Sequence, residues 1–253
     1  MTYILVTNDD GVSAPGILAL AGAMRSFGEI GIIAPAINQS ASGHKKTLFT
    51  DIPYSHTTLC DGKTPAVAVG GSPADCIALA ALGAQKWPPR LVVSGINRGA
   101  NMGQDITYSG TVTAALEASI HSVPAVAFSL DNHMANDVSD YTEAARVAAE
   151  VVRTVLDRAA SLPPLTILNV NIPAVNQVKG IRLTRQGIRE YRDELEVSDS
   201  VYRIVGEPPA GRLDEAGTDL WAVATGYASI TPIHLDLTAH HFMADLAAWD
   251  LSL

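Results

Sequence analysis

Three features of the sequence predict a Rossmann-like, doubly wound α/β fold with a mainly parallel sheet. Short apolar runs alternate with helical patterns through residue 175. The polar loops that interrupt this rhythm follow the apolar runs and are rich in Asn, Asp, Ser and Gly. Beyond Pro173 the texture turns β-rich, with Gly, Pro and acidic turns. Alternating strands and helices build parallel sheets covered on both faces, and such sheets bind ligands at the loops past the carboxyl ends of their strands.

Residues 3–6 form an apolar run that stops at Asn8-Asp9-Asp10-Gly11. Pro15 then opens a segment with Ile17, Leu20, Ala21, Met24 and Phe27 at helical spacing. Gly28 ends that helix, 30–34 is a second strand, and a polar loop covers 35–46. Segments 48–60 and 66–69 are expected strands around a turn at Asp61 and Gly62. Ser72-Pro73-Ala74-Asp75 starts a helix: Ser caps, Pro fits the first turn and Asp complements the dipole. A buried strand at 91–93 leads through a glycine-rich loop, 95–110, into a helix that begins near Thr111. Strand 124–130, helix 141–159 and strand 165–170 continue the pattern. Residues 1–175 are thus expected to form one Rossmann-like core. Residues 176–253 are a β-rich extension, with strands expected at 181–184, 201–205 and 220–230. A closing helix at 240–251 carries Phe242, Leu246 and Trp249 at helical spacing.

With 253 residues, 47% of them apolar, the chain can bury one sizeable core. Its apolar runs fall short of the roughly 18 to 20 residues that span a bilayer, so neither a membrane span nor a signal peptide is expected. Two cysteines, Cys60 and Cys76, lack metal-ligand spacing, and a reduced, cytoplasmic protein is the expectation. The formal net charge of −9, without a Lys/Arg cluster, argues against binding a nucleic-acid duplex. An acidic chain that handles phosphate must gather positive potential locally, from a metal ion, helix N-termini or backbone amides.

The candidate chemistry sits in three loops that supply Asn8, Asp9 and Asp10; then Ser40; then Asn97, Asn101, Asp105, Ser109 and Thr111. Asp-Asp-Gly is also an ordinary turn sequence. In a turn past a strand, however, both carboxylates can converge on one cation, without which they would repel a phosphate. Carboxylate, hydroxyl and amide oxygens suit Mg²⁺ or Mn²⁺ better than Zn²⁺. Segment 94–105 is neither a Walker loop nor a dinucleotide fingerprint. Ser109, Gly110 and Thr111 at a helix start read either as a phosphate cradle or as a plain helix cap. Gly43, His44 and Tyr108 are candidates for a substrate loop, although His44-Lys45-Lys46 also reads as a solvated run. Cys76 reads as core, and His240 and His241 as structural or exposed. No Gly-x-Ser-x-Gly or Ser-x-x-Lys nucleophile motif is present.

At these loops the sequence resembles the survival protein E (SurE) family of metal-dependent nucleotidases. The resemblance rests on Asn8-Asp9-Asp10-Gly11 with Ala14-Pro15-Gly16, on Gly71-Ser72-Pro73-Ala74-Asp75-Cys76, and on Ser94-Gly95-Ile96-Asn97 through Tyr108-Ser109-Gly110-Thr111-Val112. Later matches are Asn169-Val170-Asn171-Ile172-Pro173, Gly226-Tyr227 with Thr231-Pro232, and Asp236-Leu237-Thr238. Two positions depart from it: Lys46 stands where relatives commonly carry an apolar residue, and Ala118 follows Glu117 where Gly is more usual.

The resemblance implies a 5′/3′-nucleotidase that converts nucleoside monophosphates to nucleoside and phosphate. It also implies one Mn²⁺ or Mg²⁺ per subunit, held by Asp9, Asp10, Ser40 and Asn97. Ser109, Gly110 and Thr111 would cradle the phosphate, Asp9 and Asp10 would be catalytic, and the extension would join copies of the chain into a homodimer or homotetramer. The rival readings are a non-hydrolytic nucleotide sensor using the same pocket and an assembly protein whose tail is the functional part.

Overall fold

The computed structural model describes residues 2–158 and 161–249. Through the core its elements are β1 (Tyr3–Thr7), α1 (Pro15–Met24), β2 (Glu29–Pro35), β3 (Tyr54–Thr58), β4 (Pro65–Val69), α2 (Pro73–Leu79), β5 (Leu91–Arg98), α3 (Gly110–Ile120), β6 (Ala125–Asp131), α4 (Thr142–Arg158) and β7 (Thr166–Pro173). Then follow β8 (Ile181–Leu183), β9 (Arg189–Ser198), β10 (Val201–Gly211), α5 (Asp219–Ala224), β11 (Ala228–His234) and α6 (His240–Ala247). The last positions of two expected helices, Ala159 and Leu251, lie outside the described residues.

Nine strands form one sheet in the order β3-β4-β2-β1-β5-β6-β7-β11-β8. Pairing is parallel from β4 through β7, whereas β3 and β11 run antiparallel to their core neighbours. This is the Rossmann-like, mainly parallel sheet that the alternating pattern predicts. Strand alternation sends successive side chains to opposite faces. Ile4 and Val6 therefore pack with Ile17 and Leu20 of α1 and Val147 and Val151 of α4, while Tyr3 and Leu5 pack with Ile77 of α2 and Val112 and Ala115 of α3. Cys76 is fully buried in the second layer, as expected.

Ser72 caps α2 as its sequence predicts: its hydroxyl accepts from the Asp75 amide (3.1 Å), while the Asp75 carboxylate accepts from the Ser72 amide (2.8 Å). Strand β5 runs to Arg98, well beyond the apolar stretch 91–93, so Asn97 stands on a strand end rather than in a loop.

Three expectations are corrected. Segment 48–60 forms a strand only over Tyr54–Thr58. The backbone and hydroxyl of Thr47 bind Asp75 (2.7 and 2.8 Å), which draws the start of that segment onto the α2 N-terminus and away from the sheet. Segment 220–230 is not one strand: Asp219–Ala224 is α5, capped by Thr218, and only Ala228–His234 is extended. A short apolar run such as Leu-Trp-Ala-Val-Ala fits a buried helix as well as a strand. Charged residues 189–198, read from sequence as no element, form β9 and pair with β10 in an antiparallel hairpin outside the main sheet. The rest of the chain after 175 returns to the main sheet through β8 and β11.

Candidate active site

Strands β1 and β5 are neighbours, and the direction of winding reverses between them. From β1 the chain winds outward through β2 and β4; from β5 it winds the other way through β6 and β7. Loops past such a switch point diverge and leave a crevice. Here the crevice is a cavity of about 600 Å³ whose lining includes Asp9, Asp10, Ser40, Asn97, Tyr108 and Ser109. Eight residues predicted from three separate loops, Asn101 and Asp105 among them, thus meet at one opening.

Beyond Thr7 the chain turns sharply, with the Asn8 side-chain amide donating to the Gly11 carbonyl (2.9 Å). Asp9 is 3% exposed and accepts a hydrogen bond from the Thr111 hydroxyl. Asp10 accepts from the Arg98 amide on β5 (2.9 Å). Burial raises the Asp9 carboxyl above its ordinary range, opposed by the Thr111 hydroxyl and the amides of Thr111 and Gly110. Burial, then the negative charge of Asp9, pushes Asp10 up to about 6, against the Arg98 amide and charge. Burial disfavours the ionised form of both neighbouring carboxyls, and a cation beside them would favour it.

The donor chemistry suits a hard divalent cation. Two carboxylates, a hydroxyl and a side-chain amide border the cavity, and Asn97 spends its side-chain nitrogen on the Gly99 carbonyl (2.8 Å), which leaves its oxygen for a cation. Among the described residues no group of three or more His, Cys, Asp and Glu is placed to hold a metal.

Gly110 is required by space rather than by backbone angle, since a Cβ there would lie 2.7 Å from Asp9 Cβ and 2.9 Å from Pro73 Cγ. Ser109 lines the cavity and also caps α3, accepting from the Val112 amide (3.1 Å). Thr111 is wholly buried, with its hydroxyl on Asp9. Of the candidate substrate loop, Tyr108 lines the cavity and Gly43 donates its amide to the Tyr108 carbonyl (3.0 Å). His44 is not among the lining residues: it turns to Glu117 (2.9 Å), and Lys46 joins it there (2.9 Å). Burial alone would raise the Glu117 carboxyl, but hydrogen bonds from His44 and Lys46 and their charges outweigh it and hold the group at about 2.

Sequence reasoning missed Arg98, Asp131, His133 and Arg189 as lining residues. Asp131 ends β6 and His133 lies just past it, and both could have been found by the loop rule that located the others. Arg189 comes from β9 and carried no local signal. It reaches the cavity by pairing with Asp105 (2.6 Å), which also accepts from the Tyr191 hydroxyl (2.7 Å).

The family model described as Survival protein SurE matches residues 4–193. The chain belongs to the SurE family. Among SurE relatives it is 46% identical over 251 residues to "5′-nucleotidase SurE 1" of Thermus thermophilus, an alignment covering 96% of each chain. It is 45% identical over 255 residues to "5′-nucleotidase SurE" of Chloroflexus aggregans, covering 98% of this chain and 99% of the relative. The solved SurE protein of Aquifex aeolicus superposes with a TM-score of 0.79 at 40% identity, covering 96% of this chain and 98% of that one. In the SurE fold of this chain, two of the quoted family motifs, 8–11 and 94–112, supply residues that line the cavity at the β1–β5 crevice.

Proposed function

We propose that the chain is a phosphoric monoester hydrolase of the 5′-nucleotidase type, releasing phosphate from nucleoside 5′- and 3′-monophosphates with the help of one Mn²⁺ or Mg²⁺ per subunit. The observation that carries this reading is the convergence of Asp9 and Asp10 with Ser40 and Asn97 on one switch-point cavity. Those four residues would hold the cation, which when bound would offset the phosphate's charge and make a water more acidic.

Thr111 holds Asp9 in place, and Ser109, on the same helix start, faces the cavity where the phosphate would lie. Water attacks phosphorus in line with the ribose oxygen, Asp10 takes the proton lost by that water, and the ribose oxygen leaves and takes up a proton from solvent. A sensor that only bound nucleotide could cradle phosphate on amides alone and would have no use for two carboxylates at the same cavity.

Self-association through the extension belongs to the same proposal. In the β9–β10 hairpin Leu195 pairs with Ile204 and Val197 with Tyr202, and all four are exposed on one face. The ion pairs Arg192–Glu207 and Arg203–Glu196 occupy the alternate positions. Such an apolar face suits a second copy of the chain. Among the described residues no helix is long and apolar enough to cross a membrane. Cys60 and Cys76 are both free thiols, in keeping with the reducing cytoplasm where we place the protein.

The deciding assay is phosphate release from a panel of 5′- and 3′-nucleoside monophosphates, after chelation and after adding back Mn²⁺ or Mg²⁺, for wild type and Asp9→Asn. Turnover restored by metal in the wild type alone is the expected result. Nucleotide binding without phosphate release under either metal would hand the pocket to a sensor.

A further inference from the structure

Ser40 stands on an irregular loop, is exposed, and has its backbone amide on the Asn38 side chain (2.7 Å). What fixes the stretch around it lies on either side. Before it, the Gln39 amide donates to the Asp9 carbonyl (2.7 Å). After it, the Gly43 carbonyl accepts from Thr113 on α3 (3.0 Å), and the next turn of chain is tied down by Glu117, further along the same helix.

We infer that Glu117 is a positioning residue: by gripping His44 and Lys46 at once it holds the 40–47 loop on α3 and so sets Ser40 opposite Asp9 and the helix start that carries Ser109. This rests on the metal site proposed above. Glu117 is 2% exposed and its two oxygens are divided, one on His44 Nε2 (2.9 Å) and the other on Lys46 Nζ (2.9 Å). A carboxylate buried on a helix costs folding energy unless it is paired, so its partners are drawn from the loop. His121, one turn along α3, touches the same carboxylate at 3.3 Å but makes no link to the loop. Because α3 also presents Thr111 to Asp9, one rigid helix references both the carboxylate and the hydroxyl side of the proposed site. Partners that orient ligands in this way influence metal affinity without touching the metal.

The test compares Glu117→Gln and Lys46→Met with two controls, Lys46→Arg, which keeps a cation on Glu117, and His121→Ala, which spares the loop. Amide hydrogen exchange over 40–47 is read in chelated protein, and Mn²⁺ affinity is read by electron paramagnetic resonance. Exchange about tenfold faster and Mn²⁺ binding about tenfold weaker are expected in the first pair and not in the controls. Unchanged exchange in the first pair overturns the latch, and faster exchange with unaltered Mn²⁺ affinity overturns its link to Ser40. Should Glu117→Gln fail to fold, Lys46→Met, at a half-exposed side chain, still decides. A wild type that binds no Mn²⁺ would refute the proposed metal site, while the exchange data would still judge the latch.

Discussion

Thr111 donates its hydroxyl hydrogen to Asp9 across 102 residues of sequence, joining the first turn of α3 to the loop after β1. Both residues are buried, so the bond supports a carboxylate that has little contact with water. Thr111→Val keeps the shape and removes the donor. It is expected to cost about 1–3 kcal/mol of stability and to lower nucleotidase turnover. Urea unfolding and phosphate release check the two effects, and a variant as stable and as active as wild type would show that this bond is incidental.

The position of Asp10 makes stability depend on pH when metal is absent. Its carboxyl is held at about 6 in the fold against an ordinary value of 3.8, so the folded state binds the proton more tightly than the unfolded state. The resulting stabilisation is complete below about pH 4 and is lost as pH rises through about 6, a change of up to about 3 kcal/mol. Chelated wild type should therefore weaken over that window, and Asp10→Asn should weaken less. Denaturation curves at several pH values in the presence of chelator test this; parallel pH profiles for the two proteins would refute it.

Gly110→Ala places a methyl group where Asp9 and Pro73 already sit. Overpacking of this kind costs about 1–3 kcal/mol, and relieving the clash with Asp9 Cβ would displace the Asp9 carboxylate. Activity should fall further than the loss of stability explains, as measured by turnover at a temperature where the variant remains folded.

Leu195 and Ile204 face each other on the exposed side of the hairpin. Replacing both with Glu should leave the core folded, because neither contributes to it, and should shift the chain toward monomer in sedimentation or light scattering. An unchanged oligomer would move the assembly surface elsewhere.

Local chemistry made much of this protein legible before any coordinates. Ser72 and Asp75 spell a helix start whatever surrounds them, and Ser109 likewise caps α3. The apolar runs at 3–6 and 91–93 read as buried strands because a parallel core strand needs both faces covered. Asp9, Asp10, Ser40, Asn97, Ser109 and Tyr108 could be named because loops past parallel strands are where such folds bind ligands, and one cavity gathers them. Contacts that join distant segments left no periodic trace. The 189–198 stretch is mostly charged, with Leu195 and Val197 as a short apolar alternation, and it pairs with β10. Likewise, Arg189 enters the cavity through Asp105, 84 residues earlier, and His44 turns from the cavity to Glu117, 73 residues later. Residue spacing reports which way a side chain faces within its own element. Which charge it meets is settled by packing, because a carboxylate buried by the fold takes its partner from whatever chain the fold has brought near.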